Sequence, residues 1–365
     1  ITIDAFLNSE KKNANAYING STENTSQNRK SISLSPRFVR SFNNYEVLFG
    51  ADYNFTDYSF SSSYGPMNVD QKIYAVYSVI DHRLNDSVSI NTGVRHAYME
   101  YTHIGNTHTA PLTQKGDDNQ TLADIGLTFT ITPNWNLDLR VAQNYRFPLV
   151  DEHNNYLYPG NASALKTQTG ESYEAALTFR EQDTEAQIQV YSLRLDDELI
   201  YDGNNWLTTN FDKTERNGIS VSLNKRISEL TDFHVGYDYL EAEVKDATIL
   251  NLNYRNKTIP LTAEHSANAS ITWKTTNGLI NQLNWKYVGD RYIGADFMNN
   301  YDKIKGFSTL NFSTLFKHNN WEISFKINNI LDKHAIETAS VAGTDIGFYP
   351  NSERNFAITS KYSFE

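Results

Sequence analysis

Apolar and polar residues alternate with a period of two along nearly the whole chain. Ala123, Ile125, Leu127, Phe129 and Ile131 interleave with Asp124, Gly126, Thr128 and Thr130. Trp135, Leu137, Leu139 and Val141 stand against Asn136, Asp138 and Arg140, and Trp321, Ile323, Phe325 and Ile327 against Glu322, Ser324, Lys326 and Asn328. Successive side chains of a strand point to opposite faces, so the pattern predicts strands with one apolar and one polar face. About 16 such segments can be counted, starting near residues 1, 30, 43, 70, 86, 119, 135, 170, 184, 208, 232, 262, 278, 306, 320 and 352.

The connections alternate in length. Short ones fall at Asn43, 82–86, 132–134, 182–183, 230–231, 275–278 and 318–320, and long ones near 10–29, 61–69, 105–118, 148–169, 196–207, 247–261, 293–305 and 335–351. Short turns at one end and long loops at the other describe an all-β fold, a transmembrane antiparallel β-barrel, rather than a soluble sandwich. Pro111, Pro159, Pro260 and Pro350 lie in long loops, where a missing ladder donor costs nothing. Pro36 lies inside a predicted strand and marks a bulge or a displaced boundary. Trp135 and Trp321 directly follow short turns and Trp273 shortly precedes one, so three of the five Trp mark the short-turn rim as an aromatic girdle would. The last strand alternates Phe356, Ile358, Ser360, Tyr362 and Phe364 with Asn355, Ala357, Thr359, Lys361 and Ser363. Its terminal aromatic resembles the signal read by the outer-membrane assembly machinery, with Glu365 following as a departure.

Composition narrows the function. The chain of 365 residues is 39% apolar and 13% aromatic, too aromatic for a disordered polymer. Its longest apolar run, Ile73 to Ile80, is about eight residues against the roughly 18 of a spanning helix. A net charge of −11 argues against nucleic acid as a partner, and the absence of Cys removes disulfides, thiolate nucleophiles and Cys-ligated metals. The first residues, Ile1 to Leu7, show no signal peptide and read as a strand entered midway. No nucleophile elbow, HExxH or glycine-rich phosphate loop occurs, so no catalytic residue and no enzyme activity is expected.

Several ordered segments carry a family resemblance. Thr92-Gly93-Val94-Arg95 with Tyr98, Asn144-Tyr145-Arg146-Phe147-Pro148 with Asp151-Glu152, and Leu165-Lys166-Thr167-Gln168-Thr169 through Ser172-Tyr173-Glu174 come first. Asn210-Phe211-Asp212-Lys213-Thr214 to Gly218, Val288-Gly289-Asp290-Arg291-Tyr292 and Asn328-Asn329-Ile330-Leu331-Asp332-Lys333 follow. Together they resemble the TonB-dependent outer-membrane receptors, specifically the C-terminal part of their barrel. In the third segment Ser163 and Thr167 stand where the family pattern has proline.

The resemblance implies a single domain, 1–365, supplying about 16 strands of a plugged 22-stranded barrel. The N-terminal plug with its TonB box and the first strands would lie outside this chain, and an odd-numbered strand would rise first from the periplasm. It implies the outer membrane of a Gram-negative bacterium, with lipid and lipopolysaccharide around the wall. The partners are then the plug and remaining strands of the same receptor, and the TonB-ExbB-ExbD complex. The expected function is energy-coupled uptake of a ferric siderophore or similar metal complex, with no resident cofactor. Haem, a cobalamin-like cofactor or carbohydrate are alternatives within the family, and 16 strands closing on themselves as a passive diffusion porin is another.

Ligand contacts are expected on outer loops, from Tyr156, Tyr158, Trp206, Tyr254, Arg255, Phe297 and Tyr301, since aromatics pack on a ligand while polar groups orient it. His153 lies in the interval where haem receptors of the family place a His, and His103 and His108 near Glu100 make a second possible metal contact, although solvated polar residues at a strand top look the same. Asp196, Asp197, Glu198 and Asp202 form a nearly base-free stretch, which predicts a slightly acidic mouth and a neutral or cationic ligand. Arg140, Arg146, Lys286, Asp290, Glu322 and Lys326 are expected to face the lumen, toward a plug in a receptor or an aqueous channel in a porin.

Overall fold

The computed structural model describes every residue except 19–20, 63–64, 107–110, 154–164, 203–206, 250, 277, 344 and 365. The first eleven strands are β1 (Thr2–Ile18), β2 (Ser21–Ser41), β3 (Tyr45–Ser62), β4 (Gly65–Asn85), β5 (Val88–Asn106), β6 (Pro111–Thr132), β7 (Trp135–Arg146), β8 (Gln168–Glu181), β9 (Thr184–Asp202), β10 (Leu207–Ser228) and β11 (Thr231–Asp246). Three two-residue strands follow, β12 (Thr248–Ile249), β13 (Leu252–Asn253) and β14 (Lys257–Thr258). The chain ends with β15 (His265–Lys274), β16 (Leu279–Val288), β17 (Phe307–His318), β18 (Trp321–Asn328), the hairpin β19 (Ile336–Ala342) and β20 (Asp345–Pro350), and β21 (Asn355–Tyr362). The main sheet has 17 strands, and setting aside the short β14 leaves the 16 that alternation predicts. Each strand pairs antiparallel with its neighbour in sequence, and β18 closes on β21 across the β19–β20 excursion.

The alternation resolves into two faces. Tyr74, Val76 and Ile80 of β4 point to the convex side with Val94 of β5, all exposed, as the lipid face of a barrel must be. Tyr77 and Arg95 share the concave side, where Arg95 pairs with Asp52 at 2.8 Å. Two aromatic belts bound the convex apolar band. Tyr53, Tyr74 and Tyr98 form the upper row, with ring centroids 5.3 and 6.4 Å apart. Trp135 on Phe179 (5.0 Å) and Trp321 on Tyr362 (4.9 Å) mark the short-turn rim, where amphipathic rings meet headgroups.

The strands run further outward than alternation suggests. Expected loops at 10–29, 61–69, 105–118 and 196–207 are largely strand, and β4 pairs with β3 up to Gly65↔Ser62. Above the tyrosine row neither face needs to be apolar, so backbone hydrogen bonds continue where the hydrophobic signal has ended. The connections that remain long among the described residues flank β7, β11, β16 and β18 at their outer ends.

Pro36 is neither a bulge nor a boundary. On the β3 side Leu34↔Tyr53 is followed by Arg37↔Gly50, with two residues skipped on each strand, so the register is kept and rungs are missing. Among the described residues, β1 is paired only with β2 and β21 only with β18, so the sheet is an open arc with two free edges.

Candidate functional site

The outer mouth is built by segments that fold back over the concave wall. After β7 the chain turns inward, because Arg146 makes a two-pronged pair with Glu152 at 2.8 and 2.9 Å and the same carboxylate accepts the Leu149 N–H at 2.7 Å. Gln71 donates to the Pro148 carbonyl at 2.8 Å. These bonds seat Val150 on Tyr58, Met67 and Val69, and Phe147 on Ala75, Ala97 and Met99.

His153 completes this packing. Its ring stacks on Tyr101 with centroids 4.2 Å apart, and its residue is 1% exposed. His103, two residues beyond Tyr101 on the same face of β5, is 0% exposed. Burial, and then the neighbouring His103, push the His153 pKa from 6.5 down to about 4, so the imidazole is neutral at physiological pH. His153 and His103, the groups expected to meet haem or a metal complex, are thus both buried among neighbouring side chains. Among the described residues no group of three or more His, Asp or Glu is arranged to hold a metal ion. His108, Tyr156, Tyr158 and Trp206 lie outside the described residues.

Two expected ligand contacts, Tyr254 and Phe297, are buried. Tyr254 and Phe297 both pack on Phe211, each with ring centroids 5.1 Å away, and are 3% and 8% exposed. Asn299 fastens the two loops they come from, accepting the Thr258 N–H at 2.8 Å and donating to its carbonyl at 2.9 Å. Asp296 caps the following turn by accepting the Asn300 and Tyr301 N–H groups at 2.8 and 3.1 Å. Arg255 and Tyr301 remain exposed. Sequence reading missed Asp296 and Asn299, since short polar residues in a loop carry no period; the left-handed φ of 54° at Asn299 is the kind of position Asn favours.

The acidic mouth is largely neutralised. Asp197 pairs with Lys166 at 2.8 Å, Glu198 pairs with Arg216 at 2.6 Å, and Asp202 is 3% exposed. The bases come from a preceding loop and a neighbouring strand, which a count along the local sequence overlooks. Of the lumen set, Arg140 pairs with Asp124 at 3.7 Å and Glu322 with Lys317 at 2.7 Å near the short-turn rim. Asp290 stands past the end of β16, where the Gly306 N–H at 2.6 Å and then Lys305 hold its carboxyl below the usual range. Lys286 and Lys326 are exposed on the concave face without an ion pair among the described residues.

Residues 3–330 match the family model described as TonB dependent receptor-like, beta-barrel. Among solved structures the chain is similar to the ferric yersiniabactin uptake receptor FyuA from Yersinia pestis, with 18% identity and a TM-score of 0.79 over 94% of this chain and 55% of that one. It is also similar to the copper transporter OprC, with 12% identity and a TM-score of 0.82 over 99% and 62%. The FrpB iron transporter from Neisseria meningitidis, F5-1 variant, gives 13% and 0.74 over 99% and 61%. At such identities the likeness is one of fold, and the chain spans between 55% and 62% of these proteins' lengths. No curated protein matches the sequence.

Proposed function

The chain belongs to the TonB-dependent receptor β-barrel family, and from that premise we propose that it is the larger part of the wall of an outer-membrane receptor importing a ferric siderophore or similar metal complex. The observation that carries this reading is the open, sequentially paired arc with loops folded over one concave end. Such an arc needs further strands before it can stand in hydrocarbon, where each unpaired N–H or C=O costs several kcal/mol. A plug inside the completed barrel would meet the free ammonium groups of Lys286 and Lys326, and TonB would act on that plug. Three of the similar structures are named for a ferric chelate, copper or iron, which supports a metal complex as cargo.

Haem finds less support, because His153 is turned into the wall. A closed 16-stranded porin also finds less, because β1 and β21 do not pair among the described residues. The test is accumulation of radioactive iron by cells carrying the receptor, with and without TonB, together with planar-bilayer recording. TonB-dependent accumulation and a silent bilayer are expected. Steady conductance without TonB-dependent uptake would leave a diffusion pore.

A further inference from the structure

A cavity of ≈ 480 Å³ at the outer mouth lies between the segments 293–307 and 333–348. Its floor is apolar, from Ile293, Ile304 and Phe307 against Ile336, Ile346 and Phe348. The walls are fixed to each other by backbone. Gly294 N–H donates to the Ala339 carbonyl at 2.7 Å and Val341 N–H to the Gly294 carbonyl at 2.9 Å. Arg291, 6% exposed, donates to the carbonyls of Gly289 and Glu337 and lies over the Phe307 ring at 5.7 Å, locking both walls.

The rim is basic. Lys303, Lys305 and Lys333 line the cavity with His334, against Asp302 as the lining's one carboxylate. Lys305 is engaged by Asp290 at 3.3 Å and His334 lies 3.9 Å from Glu353. Lys303 sits over the Tyr292 ring at 4.8 Å, and neither it nor Lys333 has an ion pair among the described residues. Phe307 places the cavity floor on the concave face of the wall. Phe307 pairs with Val288 on the face that carries Lys286 and Asn311, whereas Trp285 and Leu310 occupy the opposite, lipid-side face.

We propose that this cavity is a binding subsite for an anionic chelate with an aromatic or apolar face, the ring packing on Phe307 and Phe348 while Lys303 and Lys333 meet the negative charge. This rests on the receptor reading and reverses the preference for a neutral or cationic ligand suggested by the local run of acids. Apolar burial supplies affinity, and two unpaired ammonium groups at one edge supply orientation and charge selection. The same chemistry, phosphate or carboxylate next to hydrocarbon, is found in lipopolysaccharide, whose location on the lipid side disfavours it here.

The experiment is equilibrium binding to the purified receptor polypeptide that contains this segment, in detergent. The probes are ferric tris-catecholate, which is anionic, ferric tris-acetohydroxamate, which is neutral, and lipopolysaccharide micelles as competitor. The anionic complex should bind better than the neutral one, and more weakly as salt rises. The double variant Lys303→Gln with Lys333→Gln should weaken the anionic complex by about tenfold and leave the neutral one unchanged. Phe348→Ala should weaken both, and retained heat-modifiability on gels shows that each variant is folded. Equal affinity of wild type and double variant for the anionic complex would overturn the proposal, and so would full displacement by lipopolysaccharide. Because binding is read without TonB, failure of energy-coupled uptake would count against the receptor reading and leave this result standing.

Discussion

At the residue scale, His153 shows how a polar side chain becomes part of a wall. Its ring is buried on Tyr101, and both nitrogens lack a hydrogen-bond partner among the described residues, so docking this segment costs desolvation that the stack and the Arg146–Glu152 pair offset. The undocked imidazole would titrate near its usual 6.5, the docked one near 4, so the undocked state binds more protons between these values. Docking should be fully stable above pH 6.5 and weaken as the pH falls toward 4. Hydrogen exchange across residues 146–153 should report faster opening at pH 5 than at pH 7.5, and His153→Phe should abolish the difference; pH-independent exchange in the wild type would count against it. The platform depends on a close approach, because a Cβ at Gly116 would lie 2.5 Å from the Tyr101 ring across the β5–β6 ladder. Gly116→Ala should therefore displace the stack and cost about 1–3 kcal/mol, read as a lower temperature of heat-modification on gels. Gly50 with Tyr77 and Gly218 with Tyr191 repeat the arrangement. None of this was legible in the sequence, where His153 and Tyr101 are 52 residues apart and a lone His offers only its residue type.

Strands were the most legible elements, and the reason is the membrane. Hydrocarbon on one face and a polar lumen on the other impose strict alternation, so starts such as Trp135, Thr184 and Trp321 follow from the sequence within a residue or two. The outer halves of β2, β4 and β6 were not legible because water lies on both sides there, and the constraint that creates the pattern is gone. Pro36 isolates the backbone contribution. It leaves rungs unmade between Leu34↔Tyr53 and Arg37↔Gly50 while the register persists, so the cost falls on the ladder alone. Pro36→Val restores a donor in an otherwise continuous ladder and should stabilise the folded barrel by about 1 kcal/mol. A higher heat-modification temperature for this variant is the expected reading; an unchanged or lower one would mean that the β3 edge cannot close there.

For the whole molecule the governing feature is that the two outermost strands, β1 and β21, are each paired on one side only among the described residues. The 17 residues of β1 are paired on one side, and Ile3 and Phe6 along that strand are 63% and 66% exposed, as are Phe356 and Ile358 of β21 at 64% and 77%. A β-sheet with two free edges can enter a bilayer only when something covers them, and the most economical cover is a further set of antiparallel strands that joins β21 to β1. Expressed without such a partner, residues 1–365 should fail to give a heat-modifiable band in outer membranes, and co-expression with the remaining part of the receptor should restore it. A stable, conducting barrel formed by the segment alone would show instead that the arc closes on itself. The same dependence explains why ligand identity is poorly legible from this chain. Among the described residues the loops on its concave side pack on one another through Phe211, Tyr254 and Phe297, and the proposed subsite beside Phe307 is where this wall would meet a ligand directly.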